Sequence, residues 1–369
     1  MPVLGLAQRA GLGELAREHL SVPGGPGCAA GAKVSALVAG MVAGADSIDD
    51  MDLLRHGAMS RLFAGVRAPS TLGTFLRAFR FGHVRQLDAV GARFIAGLAQ
   101  HAPIIAAGAE VTHLDIDDTV KATYGYAKQG AGYGYNSVKG LNALIATVST
   151  AATAPVIIAT RLRKGSANSA RGAARLVADA IKTTRSCGVA GLLVLRGDSA
   201  YYNRDVIAAA RRHNVRFSIT ARKDKAVTAA IASIAEDAWT AIRYPHAVFD
   251  EQLQQWVSDA EVAEVPFTAF TSRGRKHAVT GRLIVRRVRD QNPDHAHLNA
   301  QGELFRVWRH HALFTDSPLP MLSAEADHRR HAIIEQVHAD LKNGPWLTCP
   351  RRRSPPTPRG SSWPRWRST

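Results

Sequence analysis

Three acidic residues lie close together, among apolar residues, in the segment Thr112–Thr119. Its alternation predicts a short strand with Leu114 and Ile116 on one face and Asp115 and Asp117 on the other. Carboxylates on one face of a strand need water at the strand end or a cation deeper in the fold, and Mg²⁺ prefers such oxygen ligands. The acidic pair alone leaves both interpretations open.

A further aspartate follows an apolar run. The run Leu192–Leu195 predicts a buried strand that ends shortly before Asp198, and a helix-like segment extends from Arg204 to Arg212. Open α/β sheets bind their ligands just beyond the carboxyl ends of their strands. We therefore expect Asp198 to lie at a ligand-binding edge of the sheet.

The segment His328–Lys342 has the periodicity of an amphipathic helix. Its apolar stripe consists of Ile334, Val337 and Leu341. Four polar side chains recur at i, i+4, i+7 and i+11, so they are predicted to share one face. These four are His331, Glu335, His338 and Lys342.

Two strand aspartates followed by a helical glutamate and a lysine form the pattern of a DDE transposase. The matching motifs are L-D-I-D-D-T at 114–119, L-R-G-D-S at 195–199 and I-E-Q-V-H-A-D-L-K at 334–342. By these motifs the chain resembles the transposases of bacterial insertion sequences, in the group with a β-rich insertion. It is most similar to the family of insertion sequence 1380 of actinobacteria. The wider group has a Tyr and an Arg before its Glu, where this chain has His328 and His331.

The resemblance implies an α/β fold, α+β overall, with a ribonuclease-H-like mixed-sheet catalytic core. The expected parts are an N-terminal helical DNA-binding domain at 1–106, the first part of the core at 107–224, a β-rich insertion at 225–324, the final core helix at 325–347 and a basic tail at 348–369. We expect the tail to be disordered, because it has six arginines, five prolines and no Leu, Ile, Val or Phe.

The resemblance also implies phosphoryl transfer on DNA with two Mg²⁺ (or Mn²⁺) ions. Two ions about 4 Å apart activate a water molecule and stabilise the leaving oxygen of an in-line displacement. The expected catalytic metal ligands are Asp117, Asp198 and Glu335, with Asp115 as an alternative ligand or a support behind Asp117. Lys342 is the fourth expected catalytic residue, and it would contact a phosphate as a point charge.

Lysine and arginine outnumber aspartate and glutamate by 47 to 30, so the net charge of +17 favours a polyanionic partner. The expected partner is double-stranded DNA, as terminal inverted repeats and as target. Candidate contacts lie on a helix after Pro69, around a stretch rich in glycine and tyrosine, and on the final helix. They are Arg77 and Arg80, then Lys121, Lys128 and Lys139, then Arg329 and Arg330. Two alternative interpretations remain open. The helix after Pro69 could be an ordinary packing helix, and the stretch rich in glycine and tyrosine could be a tight hairpin.

Three cysteines, Cys28, Cys187 and Cys349, lie far apart without a C-x-x-C pattern, which predicts neither a disulfide framework nor a zinc ribbon. No signal-peptide pattern is present, and no apolar run reaches about 18 residues, so we expect no membrane span. The expected location is the bacterial cytoplasm, in association with the nucleoid. The resemblance implies a homodimer that pairs two DNA ends.

Two alternative interpretations remain open. Histidines of the final helix could bind zinc, although no H-E-x-x-H motif is present. The chain could also be a catalytically defective, C-terminally truncated copy that acts only as a DNA-end-binding protein. The composition of the tail favours this second alternative, because related transposases continue into further helices after the glutamate.

Overall fold

The computed structural model describes most of the chain. The described residues are 2–23, 30–63, 65–123, 128–134, 137–242, 248–250, 255–257, 260–289, 297–298, 304–305 and 308–343. The basic tail at 348–369 lies outside these residues, and so do Tyr124, Tyr126 and Tyr135 of the stretch rich in glycine and tyrosine.

The N-terminal part of the chain is helical, as its apolar periodicity predicts. A small core around Met51 and Leu72 joins the third and fifth helices to a 3₁₀ turn. The fifth helix begins at Pro69, where the missing N–H of proline leaves no bond unmade. The helices are α1 (Pro2–Arg9), α2 (Leu12–His19), α3 (Ala30–Val42), α4 (Met59–Leu62), α5 (Pro69–Arg77) and α6 (Phe81–His101), and the 3₁₀ turn is Asp49–Arg55.

Fourteen strands occur in the described part of the chain. They are β1 (Val111–Ala122), β2 (Gly132–Tyr133), β3 (Lys139–Thr150), β4 (Thr153–Lys164), β5 (Leu192–Gly197), β6 (Arg216–Thr220), β7 (Thr240–Ile242), β8 (Val248–Asp250), β9 (Gln255–Val257), β10 (Ala260–Ala269), β11 (Val279–Arg289), β12 (His297–Leu298), β13 (Leu304–Phe305) and β14 (Trp308–Thr315). Ten of them form one mixed sheet in the order β2-β3-β1-β5-β6-β14-β11-β10-β7, with β4 paired to β3.

Parallel pairing is confined to the centre of this sheet, where β5 lies between β1 and β6. Parallel neighbours require crossover connections, and helices supply them. The helices after β4 are α7 (Ala173–Ser186), α8 (Arg204–Arg212), α9 (Lys225–Ala232), α10 (Met321–Arg329) and α11 (Ile333–Asn343). The crossover α7 leads into β5, and α8 connects β5 to β6.

The main core lies between this sheet and the two crossover helices. Leu114, Leu195 and Phe217 from the three parallel strands are fully buried, and they share a cluster with Leu176 of α7 and Ile207 of α8. Each such side chain contributes about 1.5–3 kcal/mol when removed from water. This burial fixes which face of β1 and β5 remains available for polar groups.

Some of the strands after residue 225 continue the core sheet, whereas β8 pairs with β9 and β12 with β13 in two small separate sheets. Strand β14 pairs antiparallel with β6, setting Phe314 beside Ile219, and β11, β10 and β7 follow outward. Near the outer strands the Arg287 guanidinium lies 4.3 Å from the Trp239 ring centroid and 4.5 Å from that of Trp308. These contacts hold Trp239, which follows the 3₁₀ turn Glu236–Ala238, against β11 and β14.

The prediction of an α/β fold with a ribonuclease-H-like mixed sheet, N-terminal helices and a β-rich insertion is confirmed. The first acidic strand is longer than predicted, at 12 residues, because β3 pairs with it along most of its length. None of the described helices is long and apolar enough to cross a membrane. Cys187 is a buried free thiol.

Candidate active site

The two predicted aspartates meet because β1 and β5 are parallel neighbours. Their register sets Asp115 opposite Arg196. Side chains two residues apart on a strand share a face. Asp117 and Asp198 therefore follow Asp115 and Arg196 on that face, at the carboxyl end of β5.

Asp115 is fully buried, and its carboxylate is already bonded on both sides. Arg196 donates from Nε to Oδ1 at 2.7 Å and from a terminal nitrogen to Oδ2 at 2.8 Å. The Nδ1 atom of His331 lies 2.9 Å from Oδ1. Burial alone would raise the pKa of Asp115, but the bonds from His331 and Arg196 lower it below the ordinary value. Both carboxylate oxygens of Asp115 thus already accept hydrogen bonds, and its role as an alternative metal ligand or a support behind Asp117 stays a prediction.

Asp117 faces a different neighbour, the carboxylate of Asp198. Burial raises the pKa of Asp117 to about 6, against a hydrogen bond of 2.7 Å from the N–H of Asp118, and the charge of Asp198 adds to the rise. Burial also raises the pKa of Asp198, which accepts the N–H of Ala200 at 2.9 Å. Two adjacent carboxylates that resist ionisation favour a bound cation.

A cavity of about 440 Å³ opens over the two aspartates. Its walls come from β1, the turn after β5, the loop before α7, and α11. The lining residues are Asp117, Asp118, Thr119, Ser169, Asp198, Ala200, His338 and Lys342. The structure therefore brings together three predicted site residues, Asp117, Asp198 and Lys342, and Glu335 is not among the lining residues.

Helix α11 directs its polar face toward β1. His338 is buried, with Nδ1 3.5 Å from Oδ2 of Asp117, and its buried Nε2 has no hydrogen-bond partner within the described structure. Burial lowers the pKa of His338, and the charge of Lys342 lowers it further, which favours the neutral ring. Glu335 lies one turn earlier and is exposed. The shared face predicted from the sequence thus includes His331, His338 and Lys342, with Glu335 at its exposed edge.

Asp118 belongs to a buried network that the sequence prediction missed. Its carboxylate accepts a hydrogen bond from Tyr201 at 3.0 Å and one from Arg163 at 3.2 Å, and it also accepts from the Asn142 amide. The third acid of the D-I-D-D motif was the only sequence signal for this network. Its partners come from β3, β4 and the turn after β5, so only the folded structure brings them together.

Arg163 links this network to the cavity wall. Besides Asp118, it donates to three main-chain oxygens of the loop 168–171, at 3.1, 2.9 and 2.6 Å. One of these oxygens belongs to Ser169, which lines the cavity. Hydrogen bonds from a charged donor are stronger than neutral ones. Arg163 therefore fixes the loop that closes one side of the site.

The cavity offers the carboxylate oxygens that hard divalent cations prefer. Mg²⁺ is usually held by one or two carboxylates, with water and substrate phosphates at its other positions. Asp117 and Asp198 supply two carboxylates at one cavity. Within the ranges that the structure describes, no set of three His, Cys, Asp or Glu side chains is arranged to hold a metal ion.

The structure corrects the alternative of a zinc site built from the histidines of the final helix. The ring of His328 lies between two hydroxyls of β6, with Nδ1 3.1 Å from Ser218 and Nε2 3.0 Å from Thr220. Burial lowers the pKa of His328 to about 3. His331 contacts Asp115 instead. These rings contact separate partners and do not converge on one ion.

The predicted DNA contacts differ in their exposure. The exposed ones are Arg77, Arg80, Lys128, Lys139 and Arg330. Lys121 is half-buried on β1. Arg329 is also half-buried, and its Nε donates to Glu325 at 2.9 Å. Arg329 therefore has less freedom to reach a phosphate than Arg330 has.

A comparison with known protein families identifies a transposase domain. The family model described as "Transposase DDE domain group 1" matches residues 8–295. Among solved structures, the chain is similar to the "Cryo-EM structure of piggyBac transposase synaptic complex with hairpin DNA (SNHP)". The TM-score is 0.41 and the sequence identity 13%, over 95% of this chain and 67% of that chain. No curated protein matches the chain.

Proposed function

The chain belongs to the family described as transposase DDE domain group 1, and from this premise we propose that it cuts and joins DNA ends by metal-assisted phosphoryl transfer. The observation that carries the proposal is that Asp117 and Asp198 line one cavity beside the carboxyl end of β5. The resemblance of the three sequence motifs supports a relation to the family of insertion sequence 1380. The substrate would be double-stranded DNA, with two ends paired by a homodimer in the bacterial nucleoid.

The chemistry would be in-line displacement at phosphorus. In cleavage, a water oxygen bonds to the phosphorus while the bond to the 3′ oxygen breaks, and the 3′ oxygen leaves as a hydroxyl group. In joining, that hydroxyl group attacks a phosphate of the target in the same way. Two divalent ions stabilise the attacking and leaving oxygens in sites of this kind.

The residues of this chain would divide the work. Asp117 and Asp198 would hold the metal, and Glu335 would complete the second metal site by turning its side chain toward the cavity. Lys342 lines the cavity and would contact a DNA phosphate. His338 would orient the Asp117 carboxylate, since its Nδ1 lies 3.5 Å from Oδ2.

One observation favours a second function, DNA-end binding without cleavage. Glu335 is exposed and does not line the cavity, and the described part of the chain contains no three-ligand metal site. A copy that cannot bring Glu335 to the cavity would keep its basic surface and lose the chemistry. The two functions differ in whether the wild-type chain cuts DNA at all.

The test is cleavage of a plasmid that carries the sequences flanking the gene, with Mg²⁺ or with EDTA. The wild type is expected to cut only with Mg²⁺. Asp198→Asn should slow cutting by at least about 100-fold, the scale on which one lost transition-state contact acts, and leave DNA affinity within about twofold. Asp205→Asn is the matched control, because Asp205 lies exposed on α8 and pairs with Arg204.

The outcomes separate the proposals. Cutting by Asp198→Asn at the wild-type rate would refute the assignment of the site. Specific binding of the flanking sequences without cutting by the wild type would favour the DNA-end-binding function.

A further inference from the structure

The last turn of α10 and the 3₁₀ turn after it contact three adjacent strands of the sheet through polar groups. We call Asp327, His328 and His331 the docking turn. Asp327 pairs with His113 of β1, at 2.8 Å from Nε2. His328 lies between the two hydroxyls of β6 described above. His331 reaches Asp115 of β1.

The strand β5 contributes the central contact to this arrangement. Arg196 is 1% exposed and binds Asp115 with two of its nitrogens. Its remaining terminal nitrogen donates to the main-chain oxygen of Asp327 at 2.7 Å. Buried charged groups are costly unless their hydrogen bonds are filled. The docking turn completes the hydrogen bonding of a charge pair that the sheet buries.

The apolar side of α11 is only partly buried. Among the described residues of α11, Ile334 is the one large apolar residue that is buried, and it is 1% exposed. Val337 and Leu341 are half-buried, and Ile333 is 37% exposed. The polar contacts of the docking turn therefore act on α11 beside a limited burial of apolar surface.

The docking turn and the cavity follow one another along β1 and along the helical segment that begins at His331. His331 and His338 are seven residues apart, which spans two helical turns, about 10.5 Å. On β1 their partners Asp115 and Asp117 are two residues apart, about 7 Å. A helix fixed at His331 therefore carries His338 and Lys342 to the Asp117–Asp198 cavity, where both are found.

We propose that the Asp115–Arg196 pair is a receptor for the docking turn and that His331 is a positioning residue, which fixes the placement of α11 over the cavity. The proposal deepens the proposed function, and its cleavage readout rests on that function. Its structural readout does not, because the placement of α11 exists in the protein without DNA.

The variants are His331→Ala, His331→Asn and Gln336→Ala. An asparagine amide can donate to Asp115 from nearly the position of Nδ1, so His331→Asn retains the anchor while removing the ring. Gln336 is exposed on α11 and serves as the control. The full chain is used without DNA for amide hydrogen exchange and with the plasmid substrate for single-turnover cleavage.

In His331→Ala, we expect the amides of 333–343 to exchange at least about tenfold faster, while those of β1 and β5 keep their rates, because only a local opening becomes easier. Cleavage at saturating DNA should fall by about tenfold or more, with DNA affinity within about twofold, because misplacement slows the chemistry without removing basic groups. His331→Asn should restore both readouts, and Gln336→Ala should leave both unchanged.

Three results would overturn the proposal. Unchanged exchange in 333–343 together with slow cleavage would mean that His331 acts in the chemistry. Faster exchange in β1 and β5 as well would mean that His331 stabilises the whole fold. Unchanged exchange and cleavage would mean that the contact is dispensable. If the wild type cuts no DNA, the proposed function fails, and the exchange rates alone still decide the placement of α11.

Discussion

Asp117 and Asp198 lie side by side at the cavity. Two residues earlier in the chain, Asp115 of β1 lies opposite Arg196 of β5. Asp115 is neutralised by a guanidinium at 2.7 Å, whereas Asp117 faces another carboxylate. Neighbouring positions of one strand pair thus combine a stable ion pair with an uncompensated acidic pair. The ion pair supports the site, and the acidic pair favours the binding of a cation.

This arrangement predicts that Asp117→Asn stabilises the metal-free protein. Burial raises the pKa of Asp117 from 3.8 to about 6. Protonation of Asp117 stabilises the folded protein fully below pH 3.8, and this stabilisation is lost as the pH rises through 6. At pH 7.5 the variant should therefore exceed the wild type by up to about 3 kcal/mol in unfolding free energy, with the two nearly equal at pH 4.

The measurement is denaturant unfolding in EDTA and in Mg²⁺. Mg²⁺ should stabilise the wild type, since a ligand that binds the folded state shifts the equilibrium toward it, and should stabilise Asp117→Asn much less. A variant less stable than the wild type in EDTA at pH 7.5 would show that the Asp117 carboxylate is already compensated within the protein.

A second prediction concerns the stability of the protein at acidic pH. Burial lowers the pKa of His328 from 6.5 to about 3. The neutral His328 ring stabilises the folded protein fully above pH 6.5. This stabilisation is lost as the pH falls toward 3, because His328 of the unfolded chain takes up a proton at a higher pH than His328 of the folded protein. The advantage of the wild type over His328→Gln in unfolding free energy should therefore shrink by about 2 kcal/mol between pH 7.5 and pH 5.

The control for this measurement is His56→Gln, because the His56 side chain is 72% exposed. Its difference from the wild type should change little over the same range. If the two histidine variants respond alike to pH, His328 does not carry the acid sensitivity.

The sequence predicted local faces better than partners. Alternation separated Leu114 and Ile116 from Asp115 and Asp117. Helical spacing put His331, Glu335, His338 and Lys342 on one face, although Glu335 does not line the cavity with His338 and Lys342. Both patterns depend only on neighbours along the chain. The burial of Asp115 depends on Arg196, 81 residues away, and on His331, 216 residues away. Strand register sets the first pair and the packing of the turn after α10 sets the second, and local periodicity specifies neither.

The same limit explains Asp118 and Glu335. Asp118 was recognised as an acid, but its partners Tyr201 and Arg163 are 83 and 45 residues away. Glu335 was assigned from a motif, and the motif does not specify that the side chain is exposed when no metal or DNA is present. Its role remains a prediction.

A third prediction concerns salt. The net charge of +17 should make DNA affinity fall steeply with salt, because each phosphate contact releases counterions. Arg77→Gln and Arg80→Gln should each lower the log–log slope by about 1 if the exposed arginine contacts a phosphate. Arg55→Gln is the control, because Asp52 already pairs with Arg55 at 2.6 Å. Equal slopes for all three variants would exclude Arg77 and Arg80 from the DNA interface.

The last prediction separates the two roles assigned to the acids. Asp117 and Asp198 line the cavity, and Glu335 does not. Glu335→Gln should therefore keep the stabilisation by Mg²⁺ of the DNA-free protein, which depends on Asp117 and Asp198, yet slow plasmid cleavage by at least about 100-fold. Asp198→Asn should lose both. Gln336→Ala, at the neighbouring exposed position, should lose neither. Wild-type cleavage by Glu335→Gln would mean that another group completes the site, and loss of Mg²⁺ stabilisation would mean that Glu335 already binds the ion without DNA.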